Sequence, residues 1–259
     1  MATASETKPT NGRSLKREHD YEDQEKEAAA SWKQSTLKIL TRLQRLSAPF
    51  LSIFVSIHLA APIAANFGGS DASNQVLLLG REYYQGRLTE PILLLIPLGI
   101  HVGSSLLRRA ILKPPKKPAL VTLTAYAALI SVPIHFFINR LHPSSPEPPI
   151  SSFSPSELNF EFVKAGFTLL PSLSWVAYVG IVTVVLLHGA EGGSIINRWI
   201  TGRPLNKRVR RSVALLTAAA TALGLYRITQ EPLILRGARL ERAFEIYRGF
   251  APHRFLEGF

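Results

Sequence analysis

Residues 46–67, LSAPFLSIFVSIHLAAPIAANF, contain no charged side chain. About 20 apolar residues at ~1.5 Å rise cross the ~30 Å hydrocarbon core of a bilayer. Inside that core each backbone N–H and C=O must be satisfied within the segment, which makes the segment a helix. Four more apolar stretches follow, at about 91–112, 119–139, 163–188 and 212–228, the last rich in Ala and Thr. The fold class this implies is all-α: a polytopic membrane protein of about five transmembrane helices. A polar tail, 1–45, precedes this transmembrane domain, 46–230, and a charged tail, 231–259, follows it.

The formal net charge is +12. In a soluble chain that excess would point to nucleic acid. Here Lys and Arg gather at the ends of apolar stretches, which is a topological signal, and no nucleic-acid partner is expected. The segment before the first span and the connectors 113–118 and 198–211 are basic, whereas 68–90 and 140–162 are not. The positive-inside rule then places the N-terminus in the cytosol and, after five spans, the C-terminus on the other side. The chain has no cysteine, which excludes disulfides, thiolate metal sites, covalent haem attachment and cysteine catalysis. It has no Asn-x-Ser/Thr acceptor, and its first 31 residues mix acids with bases and fit neither a signal peptide nor a matrix transit peptide.

The polar tail reads as partly disordered, with a surface helix over residues 22–45. Trp32, Leu37, Leu40 and Leu43 have rough helical spacing, and Lys33, Lys38, Arg42 and Arg45 are interleaved as groups for an anionic membrane surface. In the charged tail, Leu240, Phe244 and Tyr247 fall at i, i+4 and i+7 and predict a helix.

Each of the first four spans carries one histidine: His58, His101, His135 and His188. Ionisable groups at membrane depth are rare and mark functional sites. The hexapeptides IFVSIH (53–58) and ISVPIH (130–135) agree at four of six positions, and GSSLLRRAI (103–111) resembles GGSIINRWI (192–200). Spans one–two and three–four thus read as two copies of a helix pair, related by an axis along the membrane normal. Such an axis sets His58 opposite His135, nearer the acidic loops, and His101 opposite His188, nearer the basic face. Two facing imidazoles are the arrangement that ligates a b-type haem, and two pairs would hold up to two haem b groups. Gly99 and Gly103 bracket His101, and Gly189 and Gly193 follow His188. They suit either the close approach of a porphyrin or ordinary helix packing. No other metal site is expected.

This pattern resembles the five-helix dihaem cytochrome b anchors of succinate dehydrogenase and fumarate reductase, including Arg45 and Ser47 at the start of the first span, like the Arg-x-Ser of that fold. As a whole, the chain more closely resembles a fungal mitochondrial family, the Mdm10-complementing type of outer-membrane protein, with its polar tail, five spans and histidine-bearing helices. That resemblance implies an integral outer-membrane protein with a cytosolic N-terminus and a C-terminus in the intermembrane space. It also implies a role in lipid homeostasis, with membrane lipids and a bridge-like lipid-transfer protein as partners. In the family that protein is recruited through a Pro-x-Pro motif in the cytosolic tail. Here residues 1–45 contain only Pro9, and the Pro-x-Pro is Pro146-Glu147-Pro148.

No P-loop, His-Glu-x-x-His or Gly-x-Ser-x-Gly is present, and no carboxylate lies in the first three spans to orient a base, so no enzyme activity is expected. Three function classes follow: a membrane scaffold or adaptor for lipid homeostasis at contact sites, a haem-binding electron carrier or haem handler, and a lipid or small-solute translocator.

Overall fold

The structure is a computed structural model and describes residues 12–113 and 116–249. Pro9 with the rest of the first eleven residues, Pro114 and Pro115 of the basic connector, and the last ten residues of the charged tail lie outside the described residues. The described chain is helical throughout its regular structure. Five of its helical stretches are long and apolar enough to cross a membrane: Gln24–Tyr84, Glu90–Ile111, Leu120–Ser144, Pro171–Thr201 and Lys207–Gln230.

Helix α1, Gly12–Tyr84, is helical from residue 12 into the first span, with no break at the 45/46 boundary expected from composition. It turns at Gly68 and Gly69. Gly69 has φ 59° and ψ −150°, a conformation that only glycine adopts freely. After the turn, residues 70–84 fold back along the first span. Ser73 Oγ donates to the Ala61 carbonyl at 2.8 Å, and Ile57 reaches so close to Gly80 that a Cβ there would lie 3.0 Å from its Cγ2. The loop expected over 68–90 is therefore corrected to a fold-back helix followed by a short turn. Its buried face is Ser70, Ser73, Leu77, Gly80 and Tyr84, spaced at three and four residues. Asp71, Arg81 and Glu82 on its other side give the segment a loop-like composition.

The chain divides into two compact units, Met1–Ala48 with Pro97–Pro114, and Pro49–Ile96 with Pro115–Phe259. In the first, the end of the N-terminal segment packs along α2, Ile96–Ile111. Leu40 and Ser47 are buried there, and Arg108 Nη1 donates to Gln44 Oε1 at 2.8 Å. Lys33, Lys38 and Arg42 are exposed, and Arg45 is half-buried.

In the second unit, α3 (Leu120–Phe136) packs on α5 (Pro171–Thr201), and α5 on α6 (Lys207–Gln230). Two short π-helical turns, Glu90–Leu95 and Phe137–Leu141, are tied by Arg140, which donates to both oxygens of Glu90 at 2.9 and 2.8 Å. Such two-point pairs hold orientation as well as charge. The fourth span begins later than composition suggested. Residues 160–169 form a separate helix, α4 (Phe160–Leu169), and the chain breaks at Leu170 (φ −132°, ψ 63°) before Pro171 opens α5. Proline disfavours helix in the residue before it, which is why the apolar run splits there. His188 consequently lies well inside α5 rather than near its end.

α4 belongs to a cap outside the bundle. Phe162, Ala165 and Leu169 of α4 form a core with Ile150, Phe153 and Leu158 of the preceding loop and with Ala243, Ile246 and Tyr247 of α7, Gly237–Arg248. Leu240 and Phe244 pack against that core, so the helix expected in the charged tail is present and uses the expected face. Each large side chain buried here contributes about 1.5–3 kcal/mol.

Candidate functional site

The structure brings His58 and His135 together. Their ring centroids are 6.0 Å apart with planes at 82°. Phe54 stacks on His58 at 5.3 Å, Tyr84 meets Phe54 edge-on at 5.0 Å, and Tyr178 meets His135 edge-on at 5.9 Å. Position 54 lies one turn before His58 on α1, and Tyr84 arrives because the fold-back helix returns it to that depth. His58 Nδ1 lies 3.4 Å from Tyr84 Oη, a hydroxyl that serves either tautomer of the ring.

His135 is held differently. Asn139, one turn on, donates its amide nitrogen to the His135 carbonyl at 2.9 Å and accepts the Tyr178 hydroxyl on its oxygen at 3.1 Å. The amide so oriented presents a donor to His135 Nδ1 at 3.3 Å. Nδ1 is then the acceptor, and the ring proton sits on Nε2. A histidine that ligates a metal through Nε2 needs the opposite tautomer, with Nδ1 donating. His135 in this setting does not fit an iron ligand.

His101 and His188 do have that tautomer. His101 Nδ1 lies 3.2 Å from the Gln44 carbonyl and 3.3 Å from Ser47 Oγ. His188 Nδ1 lies 3.1 Å from the Val121 carbonyl and 3.5 Å from Thr124 Oγ1. A carbonyl only accepts, so Nδ1 carries the proton in both rings and the lone pair is on Nε2. Gln44 and Val121 are 77 residues apart, as are Ser47 and Thr124, and His58 and His135. The internal repeat is therefore a repeat of side-chain chemistry: a carbonyl and a hydroxyl one turn later on the first helix of each copy hold the histidine of the second. Each ring takes these Nδ1 partners from its own copy.

A Cβ at Gly99, Gly103, Gly189 or Gly193 would meet nothing within 4 Å among the described residues.

Sequence reasoning missed Tyr84, Asn139, Tyr178 and Tyr247. The Tyr178 hydroxyl lies 3.4 Å from that of Tyr247, which donates to the Phe162 carbonyl at 3.2 Å. A polar chain thus runs from His135 to the cap. Asn139 is polar within an apolar run, and that was the available signal. Beyond the spans, burial of the Tyr247 hydroxyl, with Tyr178 beside it, pushes its pKa far up, so it stays a neutral donor. Burial raises the Glu231 carboxyl, but hydrogen bonding to Ser70 and the nearby Lys164 outweigh it and hold Glu231 below the usual carboxylate range.

Five apolar helices with charges at their ends, and histidines held by backbone carbonyls inside them, define an all-α multi-pass membrane protein. Residues 130–238, from the middle of α3 to the start of α7, match the family model described as MDM10-complementing protein 1, transmembrane domain. No curated protein and no solved structure matches the chain.

Proposed function

We propose that the chain is a membrane scaffold of the mitochondrial outer membrane that acts in lipid homeostasis and mitochondrial organisation at contact sites, without enzymatic activity. The family match over residues 130–238 carries this reading. The N-terminal helix supports it: Trp32, Ile39, Leu43 and Leu46 are exposed and share one face, beside Lys38 and Arg42. That face suits attachment to an anionic leaflet from the cytosolic side, with the C-terminus in the intermembrane space. A bridge-like lipid-transfer protein remains the partner the family implies, but recruitment here uses a surface other than an N-terminal Pro-x-Pro. Pro146 and Pro148 lie exposed in the cap loop, the side assigned to the intermembrane space. The test is expression in fungal cells lacking the endoplasmic-reticulum–mitochondria tether. Restored growth and phospholipid composition support the reading, and an unchanged defect with the protein correctly inserted overturns it.

A second reading, b-type haem binding, is favoured by the matched hydrogen bonds of His101 and His188. Each ring presents an Nε2 lone pair within its own unit as an axial-ligand candidate, and the group would supply one-electron chemistry. Gln44, Ser47, Val121 and Thr124 fix the rings. A reduced-minus-oxidised absorbance spectrum of protein from haem-replete cells tests it. A band lost in H101A and H188A but kept in H135A supports this reading, and a colourless folded preparation ends it.

A further inference from the structure

A groove of about 510 Å³ opens where the end of the first span meets the end of α6, and its walls include Phe67, Leu223, Tyr226, Arg227, Gln230 and Glu231. Arg227 is exposed and makes no hydrogen bond or ion pair among the described residues, and the same holds for the Gln230 amide. Glu231 accepts the Ser70 N–H on one carboxylate oxygen at 2.9 Å. The nearest buried cation, Lys164, is committed elsewhere: it pairs with the Glu161 carboxylate and donates to the Pro232 carbonyl at 3.0 Å. The groove is therefore lined by the uncommitted Arg227 guanidinium on α6 and by the Glu231 carboxylate at the C-cap of that helix.

Its apolar wall is exposed. Phe67 is 89% accessible, Tyr226 51% and Leu223 50%. All three lie at the ends of membrane spans, the depth at which lipid headgroups sit and where aromatic side chains anchor. A simple anion would satisfy Arg227 and be repelled by Glu231, and a simple cation would meet the reverse. A ligand with a phosphate and an ammonium a few bonds apart satisfies both. The guanidinium takes phosphate oxygens through two N–H groups. A quaternary ammonium is held by the carboxylate and by the faces of aromatic rings. Acyl chains would leave along Phe67 and Leu223 into the bilayer.

We propose that this groove binds the headgroup of a zwitterionic phospholipid. The proposal stands apart from the scaffold reading, because a lipid titration and a tether-suppression assay succeed or fail independently. The experiment is native mass spectrometry of the full chain in detergent, titrated with phosphatidylcholine, phosphatidylglycerol or free phosphocholine. One phosphatidylcholine should bind per chain at least fivefold more tightly than phosphatidylglycerol. Arg227→Gln and Tyr226→Ala should weaken it about tenfold. Leu223→Trp fills the groove while leaving Arg227 and Glu231 in place, and should abolish that single site even if another variant fails to fold. Equal binding of the two lipids, or wild-type binding by Arg227→Gln and Leu223→Trp, overturns the proposal. So does free phosphocholine binding as tightly as the lipid, which would make a soluble phosphate ester the ligand.

Discussion

Gly224 of α6 lies directly against the carbonyl oxygen of Pro62 in α1, with no room for a single carbon between them. One turn earlier, the Asn66 amide donates to the Ala220 carbonyl at 2.9 Å, so the same two helices are also hydrogen-bonded at the crossing. Buried Ala214, Ala218 and Thr221 continue the small-residue face of α6. Where lipid is as apolar as the protein, close backbone approach of this kind is what holds helices together. Gly224→Ala should lower stability by about 1–3 kcal/mol through overpacking. Thermal unfolding in detergent measures it, with exposed Leu223→Ala as a near-silent control; indistinguishable melts for wild type and Gly224→Ala would refute the crossing.

The duplicated histidine cradle predicts paired effects. Ser47→Ala and Thr124→Ala should each cost about 0.5–1.5 kcal/mol, the ordinary net worth of a hydrogen bond. The two hydroxyls serve different histidines, Ser47 that of His101 and Thr124 that of His188, so the double mutant should show the sum. Strong coupling between them would show that the copies do not act separately.

Nitrogen-15 chemical shifts of labelled histidine check the tautomers. His101 and His188 should report the Nδ1-protonated form and His135 the Nε2-protonated form. Asn139→Leu should release His135 alone, leaving the other two signals in place. An Nδ1-protonated His135 in the wild type would contradict the amide orientation.

A Cβ on Gly166 would sit 2.5 Å from Tyr247 Cζ and 2.6 Å from its Cε1. Gly166→Ala should therefore lift α7 from the cap, and limited proteolysis should cleave near residue 237 faster than in the wild type. Tyr247→Phe keeps the ring and loses only its hydroxyl bonds, at about 0.5–1.5 kcal/mol, and should leave the proteolysis rate close to unchanged.

The Ser154 N–H donates to Glu157 at 2.9 Å, and this bond, with Arg242 and Arg239 nearby, holds the Glu157 carboxyl below its usual range against the opposing effect of burial. A carboxyl with a depressed folded pKa stabilises the protein at pH above its unfolded value, about 4.3, and that contribution disappears as pH falls through the folded value. Glu157→Gln should thus be less stable than wild type near neutrality, and the gap should close in acid. A gap that persists at pH 3 would place the effect in packing rather than charge.

The spans were legible from composition because a bilayer demands long apolar runs, and the five runs read from the sequence correspond to five helices. What composition could not separate was lipid-facing from protein-facing apolarity. Phe167 and Leu169 read as part of a span, yet both are buried outside or beside the bundle in α4. The reverse error fell on residues 70–84, where Asp71 and Arg81 hid a helical face of Ser70, Ser73 and Leu77. His58 and His135 were found as neighbours because the repeat positions them. Their tautomers were not readable, because those depend on Asn139 and Tyr178, residues brought together from different helices.

The cap has an order built into it. Phe162 and Ala165 are synthesised long before Ala243, Ile246 and Tyr247, which cover them, and α5 and α6 must be threaded through the bilayer in between. Until α7 emerges on the same side of the membrane, the aromatic face of α4 stays open to water and to chaperones or proteases. A chain with α5 or α6 misinserted presents α7 to the wrong compartment and never closes that face. Closing the cap core therefore requires that α5 and α6 have both crossed.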